Sequence, residues 1–296
     1  MRKTVGIIGL GLLGGSLAKG LTKLGTYRII GYDHLPEVCK EALKDKVIED
    51  IADGPGQVIS QSDIVVFAMP PDINAQTLVK YKDLFRPGTL VTDVSSTKKH
   101  VIKAVEDCLP ADVHFVSIHP MAGSEKGGYA MAKADLFQNC AWIILEDRQS
   151  PHWNEGNAKE LEVMGQKLGG RIEWVPMAKH DHLLATVSHM PHVVAAMVTT
   201  VAGNDQYGDL RLRLAAGGFR DITRVAGGTP SMWREIISGN RKEVLLALDA
   251  LAGQIEEIKQ MLTKDPSGQA LESYLTRART IRKHFQEIID NTANPK

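Results

Sequence analysis

The sequence predicts an α/β protein: a mostly parallel sheet with helices on both faces, followed by an all-α part. Three observations carry that prediction. Short apolar runs rich in Val and Ile alternate with amphipathic stretches up to about Pro176. The early runs are continuous in apolar character, the pattern of strands buried on both faces. Beyond Pro176 the strand patterns stop and only helical periodicity continues. Such βαβ alternation builds a parallel sheet covered by helices. At 296 residues the chain exceeds one typical mixed domain, so the reading is two domains, 1–176 and 177–296.

In chain order, strands are predicted at 5–8, 28–32, 64–68, 90–93, 115–118, 141–145 and 171–175. Helices are predicted between them at 13–24, 36–43, 75–84, 98–109 and 154–168. Pro36 suits a first helical turn, where a missing N–H costs nothing. The second part opens with one long apolar helix at 178–201. Loops at Gly217-Gly218 and Gly227-Gly228 follow, then helices at 230–238, 241–262 and 269–289.

Composition narrows the function. Apolar residues are 43% and charged residues 24% of the chain, the balance of an ordinary globular protein. Thirty-five basic residues cancel thirty-five acidic ones, which argues against nucleic acid or an anionic membrane as partner. Cys39, Cys108 and Cys140 are odd in number and form no CxxC pair. They read as reduced thiols in a cytoplasmic protein. Met1-Arg2-Lys3 and the apolar stretch after it resemble a secretory signal. Five glycines between Gly6 and Gly15 make the stretch folded core instead. No later stretch is expected to reach membrane-spanning length without charges.

Gly9-Leu10-Gly11-Leu12-Leu13-Gly14 fits GxGxxG, entered by a strand and left by a helix. That context makes it a dinucleotide-binding, Rossmann-type loop. Gly9 allows the tight turn, Gly11 lets the backbone approach a pyrophosphate, and Gly14 lets helix and strand pack closely. The helix N-terminus, with Leu12 and Leu13 in its first turn, offers N–H groups and a positive dipole end. Asp33 ends the second strand, roughly 20 residues on, where a carboxylate binds a ribose 2′-hydroxyl and repels a 2′-phosphate. NAD is therefore the expected cofactor, over NADP. Met69-Pro70-Pro71 follows the strand at 64–68 and Ser95-Ser96 the strand at 90–93, both where loops line the crevice. A plain turn explains the prolines equally well.

Oxidising an alcohol with NAD needs a base for the hydroxyl proton, and histidine titrates near working pH. Of ten histidines, His119 is read as ending the strand at 115–118 and pointing into the crevice. Position alone does not separate that role from a structural one. His180, His182, His189 and His192 form a second cluster, with His189 and His192 on one helix face. Metal ligation, helix packing and substrate binding all fit them. No acidic partner motif accompanies them, and no metal is assigned. Gly217-Gly218-Phe219-Arg220-Asp221-Ile222-Thr223-Arg224 places two arginines in a glycine-rich setting. They suit either a carboxylate fork or surface salt bridges.

These segments together resemble the prephenate dehydrogenase family, in its short form without an appended regulatory or mutase domain. The resemblance is carried by Gly9 to Gly14, by Asp93-Val94-Ser95-Ser96-Thr97-Lys98 and by His119-Pro120-Met121-Ala122-Gly123-Ser124-Glu125-Lys126-Gly127. Ser188-His189-Met190-Pro191-His192, the Gly217 to Arg224 segment and Pro230-Ser231-Met232-Trp233-Arg234 complete it. It implies an NAD-dependent oxidative decarboxylation of prephenate to 4-hydroxyphenylpyruvate, in tyrosine biosynthesis. By the resemblance His119 is the base on the ring hydroxyl, Ser96 places that histidine and the nicotinamide, and Arg224 holds a substrate carboxylate. His192, Ser124, Glu125, Gly217, Asp221 and Trp233 are implied to line or gate the substrate pocket. Gly9, Gly11, Leu12, Leu13, Gly14, Asp33, Met69, Pro70 and Ser95 are assigned to the cofactor. The family also implies a homodimer joined through the helical domain. Arogenate or dual-specificity cyclohexadienyl dehydrogenase is the nearest alternative. A β-hydroxyacid dehydrogenase using Lys179 and a nucleotide-sensing protein without chemistry are the more distant ones.

Overall fold

A computed structural model describes residues 2–123 and 126–293. The first element is β1 (Thr4–Ile8), followed by α1 (Leu12–Leu24), β2 (Arg28–Tyr32), α2 (Pro36–Lys44), β3 (Asp50–Ile51) and α3 (Pro55–Gln61). Then come β4 (Ile64–Phe67), α4 (Pro71–Tyr81), β5 (Leu90–Asp93), α5 (Lys99–Cys108) and β6 (His114–Phe115). These six strands form one sheet in the order β3-β2-β1-β4-β5-β6, parallel throughout. The order reverses between β1 and β4, which opens a crevice at their carboxyl ends.

The pleat explains why the strands read as continuous apolar runs. Val5 and Ile7 of β1 and Ile64 and Val66 of β4 enter one core. Ile8, Val65 and Phe67, on the opposite face, enter another. Both faces are covered by helices, so the strands are apolar at nearly every position, Thr92 and Asp93 of β5 being among the buried exceptions. Pro36, Pro55 and Pro71 each sit in a first helical turn. Gly25 ends α1 with φ 69°, a left-handed cap that glycine adopts without strain.

A second sheet of three strands has the order β7 (Ile118–Pro120), β8 (Ala141–Glu146), β9 (Arg171–Pro176). β7 and β8 are antiparallel, while β8 and β9 are parallel and joined through α6 (Glu155–Lys167). This corrects the expected single strand at 115–118. That apolar run is two strands in two sheets: Phe115 pairs with Val91, whereas Ile118 pairs with Ile144. Hydrophobic periodicity reports burial but does not name the partner strand. Short β3 and α3 were not anticipated, because two or seven residues carry too little periodicity.

After β9 all described residues are helical or irregular, as predicted. The long helix expected at 178–201 is α7 (Met177–Leu184), a π turn at Ala185–His189 and α8 (Met190–Gly203). Pro191 has no N–H and its ring crowds the carbonyl one turn earlier, and a widened turn relieves that conflict. Next come α9 (Gly208–Leu214), which was not anticipated, α10 (Gly217–Thr223), a 3-10 turn at Arg224–Gly227 and α11 (Pro230–Gly239). Gly217-Gly218 therefore opens a helix and is not a loop. The expectation of no later uncharged stretch of spanning length also fails. Residues 183–203 contain no Asp, Glu, Lys or Arg, and Met177–Gly203 is long and apolar enough to cross a membrane by length and composition.

The chain forms two compact units, 1–241 and 242–296. The first holds both sheets and α1 to α11. The second is a helical hairpin from α12 (Arg241–Lys264) and α13 (Gln269–Ala293). Its turn is held by Asp265, whose Oδ2 accepts from the Ala270 N–H at 2.8 Å, and by Gly268 at φ 75°.

Candidate active site

The crevice between β1 and β4 is made of backbone. Gly9 has φ 97°, and a Cβ there would lie 2.8 Å from the Ala68 carbonyl oxygen. A Cβ on Gly14 would lie 1.9 Å from the Gly9 carbonyl oxygen. Both glycines are thus required by the turn and by helix–strand packing. Gly11 differs: a Cβ there would meet no protein atom within 4 Å. No packing demands glycine at that point, whereas a phosphate meeting the N-terminus of α1 would. Leu12 and Leu13 form the first turn of that helix. Asp33 lies beside the loop, with Oδ2 accepting from the Leu10 N–H at 2.8 Å and Oδ1 from the Leu35 N–H at 3.0 Å. The residues present therefore fit a dinucleotide.

Across the crevice, Asn74 of α4 is buried and ties two predicted loops together. Its Nδ2 donates to the Met69 carbonyl at 2.9 Å and to Ser95 Oγ at 2.9 Å, and its Oδ1 accepts from the Met69 N–H at 3.1 Å. Met69, Pro70 and Ser95 thus share one wall. Ser96, next to Ser95, is half-buried, and its side chain makes no hydrogen bond to a described residue.

His119 lies inside β7, not at the end of a strand, and opposes Ile143 of β8. It is 6% exposed. Its Nδ1 sits 2.9 Å from Nε2 of His180 on α7. His180 is fully buried, and its Nδ1 lies 2.8 Å from Oδ1 of Asp181. Asp181 in turn accepts from the Lys98 N–H at 3.2 Å. Lys98 is itself buried at 1% exposure, with Nζ 2.8 Å from Asp93 Oδ2 and 2.8 Å from the Ile118 carbonyl. Ser117 donates to the other Asp93 oxygen. Asn240 closes the group: its Nδ2 donates to the Asp181 carbonyl at 2.6 Å and lies 3.1 Å from His189 Nδ1 in the π turn.

These contacts set the charges. Burial pushes the His119 pKa well below 6.5, and nearby His180, Lys98 and His189 push the same way. His119 is therefore a neutral imidazole at neutral pH. Burial opposes ionisation of Asp181, but the His180 hydrogen bond and the Lys98 contacts outweigh it and hold its pKa below 3.8. Burial lowers His180 against the pull of Asp181, and lowers His189 to about 4. Burial likewise lowers Lys98, opposed by Asp93 and Asp181. A neutral, dry imidazole backed by a carboxylate is equipped to accept a proton.

The remaining predicted residues gather on α8 and its neighbours. His192 stacks on Trp233 of α11, with centroids 3.6 Å apart and planes 10° apart. A Cβ on Gly228 would come within 2.6 Å of Trp233 Nε1 and 3.4 Å of His192 Cε1. Gly228 is thus where the backbone presses on this stack. α10, with Gly217 and Asp221, and the turn beginning at Arg224 pack against α8. Gly217, Asp221 and Arg224 are exposed. Among described residues, no hydrogen bond or ring contact joins His119 to His192. Their link is the continuous α7–α8 helix. Ser124 and Glu125 lie outside the described residues.

Sequence reasoning missed Asn74, Ser117, Asp181 and Asn240, gave Asp93 and Lys98 no role, and left His180 among several candidate histidines. One signal was present: Asp181 is the acidic partner that the histidine cluster was thought to lack. It follows His180 directly, and no spacing rule separates such a pair from a surface His-Asp dipeptide.

Comparison with known proteins identifies the family. Residues 17–172 match the family profile described as prephenate dehydrogenase, nucleotide-binding domain, and residues 176–277 match prephenate dehydrogenase, dimerization domain. The prephenate dehydrogenase of Bacillus subtilis is 36% identical over 90% of this chain and 71% of its own length. The cyclohexadienyl dehydrogenase of Zymomonas mobilis is 29% identical over 92% of each chain. Among solved structures, prephenate dehydrogenase from Aquifex aeolicus, in complex with hydroxyphenyl propionate and NAD+, superimposes with a TM-score of 0.85. It is 28% identical and covers 96% of this chain and 99% of its own. On sequence and fold, the chain belongs to the prephenate dehydrogenase family.

Proposed function

We propose that this protein oxidises and decarboxylates prephenate to 4-hydroxyphenylpyruvate with NAD, and that His119 is the base. The observation that carries the reading is the neutral, buried imidazole of His119, hydrogen-bonded at Nδ1 to a second histidine. NAD, when bound, supplies the hydride acceptor. Gly9, Gly11, Leu12, Leu13 and Gly14 receive its pyrophosphate, Asp33 its adenosine ribose, and Met69, Pro70 and Ser95 line the wall opposite. His119 takes the proton of the ring hydroxyl as the C–H bond beneath it gives up hydride. The ring carboxylate then leaves as carbon dioxide, its bonding pair completing the aromatic ring. Ser96 helps place His119 and the nicotinamide.

Arg224 holds a substrate carboxylate through its guanidinium fork. His192, Gly217, Asp221 and Trp233, with Ser124 and Glu125, shape and gate the pocket. Residues 1–176 form the NAD domain and 177–296 the substrate and dimerisation domain. The apolar surface of that second part supports a homodimer: Val187 is 69% exposed, Val201 77% and Leu214 74%. A second subunit is a simpler cover for that surface than a membrane, because the helix that carries Val187 and Val201 also bears His180, Asp181, His189 and His192. We assign the protein to the cytoplasm, with no nucleic-acid partner.

Steady-state assay of prephenate and arogenate, each with NAD and NADP, tests the assignment. Turnover of prephenate with NAD is the expected result. Preference for arogenate would make the chain an arogenate or dual-specificity enzyme, the reading that likeness to a cyclohexadienyl dehydrogenase keeps open. Arg224→Ala should raise the prephenate KM with little change in kcat, and an unchanged KM would remove Arg224 from the carboxylate site.

A further inference from the structure

We propose that Asp181 and His180 are positioning residues that fix the tautomer of His119 and compensate the charge His119 acquires during turnover. The proposal rests on the catalytic reading of His119 given above, and on a chain of hydrogen bonds whose polarity is forced.

An ionised carboxylate only accepts. The 2.8 Å contact between Asp181 Oδ1 and His180 Nδ1 therefore places the His180 proton on Nδ1. A neutral His180 then has a lone pair on Nε2. His119 Nδ1, 2.9 Å from that nitrogen, must be the donor. The neutral His119 ring thus carries its proton on Nδ1 and its lone pair on Nε2. Asp181 is held in place by the Lys98 N–H, and its own backbone carbonyl by Asn240. Three separate segments thus converge to aim one imidazole.

Charge bookkeeping gives the second half of the argument. The buried Lys98 ammonium and Asp93 carboxylate are an ion pair at 2.8 Å and cancel. Asp181, which Lys98 also stabilises, remains as a second negative charge beside His180, so the group carries one net negative charge. At rest the two imidazoles are neutral. When His119 accepts a proton at Nε2, the new positive charge lies one hydrogen bond from His180 and two from Asp181. The other groups that face the pair are Lys98, which opposes that charge, Asp93, which favours it but is bound to Lys98, and His189, which is neutral. A buried imidazolium is costly without a counter-charge, and Asp181 is the carboxylate hydrogen-bonded into the pair among the described residues. No proton needs to leave His119 along the chain. Orientation and electrostatic compensation suffice.

The resting tautomer is read directly by NMR of the full-length protein labelled with 15N-histidine, with His119 assigned by its loss in His119→Asn. A protonated Nδ1 and bare Nε2 are expected. A proton on Nε2 overturns the proposal. Kinetics supply the second readout. In Asp181→Asn the prephenate KM and NAD affinity should hold while kcat falls about 100-fold. Removing the negative charge also makes His119 harder to protonate, so the acid limb of kcat/KM should move to lower pH. Asp181→Glu should restore the limb and part of kcat. A fall in kcat with an unmoved limb would mark a merely structural residue and overturn the charge argument. His180→Gln keeps an acceptor for His119 Nδ1 yet severs Asp181, and should shift the limb the same way if Asp181→Asn does not fold. Full turnover by His119→Asn would instead sink the catalytic reading and leave the tautomer measurement standing, so the two failures are told apart.

Discussion

The crevice between β1 and β4 and the histidine network around β7 are built from different materials. The crevice is backbone: three glycines, a helix N-terminus and one carboxylate that caps the loop, mostly within Gly9 to Asp33. The network is side chains: Asp93, Lys98, Ser117, His119, His180, Asp181, His189 and Asn240, drawn from four separate stretches. A backbone site tolerates change in any side chain it does not use, and fails when a Cβ intrudes. A side-chain network fails when any one member leaves a buried charge or donor alone. The first kind of site is robust and generic, the second fragile and specific to one reaction.

Breaking each region should make that contrast measurable. The largest effect is expected in the network. His119→Asn should lower kcat by about 10²- to 10⁴-fold, the range for a general base, while NAD binding measured by calorimetry is unchanged. Lost NAD binding would mean that the two regions are not separable. Lys98→Ala leaves Asp93 charged in the core, where breaking a buried pair costs about 3–5 kcal/mol. Urea denaturation should show a loss of that size, and a loss below about 1 kcal/mol would mean water reaches Asp93.

In the crevice, Asp33→Asn removes the charge that rejects a 2′-phosphate and keeps an acceptor for one of the two backbone N–H groups, Leu10 or Leu35, that Asp33 now serves. The ratio of kcat/KM for NAD over NADP should fall about tenfold, equal to about 1.4 kcal/mol, with a modest fall in melting temperature from the lost loop hydrogen bond. An unchanged ratio would place discrimination elsewhere. The smallest effect concerns the α8–α11 contact. Trp233→Leu removes a stacked pair worth about 0.5–1.5 kcal/mol beyond its buried area, and should lower thermal stability modestly. No change in stability would mean that the stack is dispensable in the free enzyme.

The two regions should also differ with pH. His189 has its folded pKa depressed to about 4 from 6.5 by burial. The unfolded chain therefore binds the extra proton between those values and the native state does not. Its contribution is complete above pH 6.5 and is lost as pH falls toward 4. His119 and His180 shift the same way. Denaturation midpoints should fall across that window, and His189→Gln should flatten part of the fall.

Legibility followed the same divide. The strands at 28–32 and 90–93 were placed to the residue, because buried parallel strands write continuous apolar runs. The glycine loop and Asp33 were legible because the turn, the phosphate approach and the helix packing each demand glycine at a fixed spacing. His119 was picked out, but as the end of a strand, because the run 115–118 crosses from one sheet to another without a break in hydrophobicity. The Asp181 carboxylate was overlooked, since its partners lie at Lys98 and His180 and its surroundings in sequence look like any exposed helix start. Lys98 gave no sign that it is buried.

The sequence by itself determined the α/β order, the switch to helices after Pro176, the dinucleotide loop and the residue types that mark the family. Each is a local pattern, set by backbone sterics, burial period or helix chemistry within a few dozen residues. Only the tertiary structure decided that β7 leaves the first sheet, that the helix turns wide before Pro191, and that Asp181, His180 and His119 line up. Those outcomes depend on which distant surfaces meet. A hydrogen bond between residues 61 positions apart leaves no trace in the spacing of either partner.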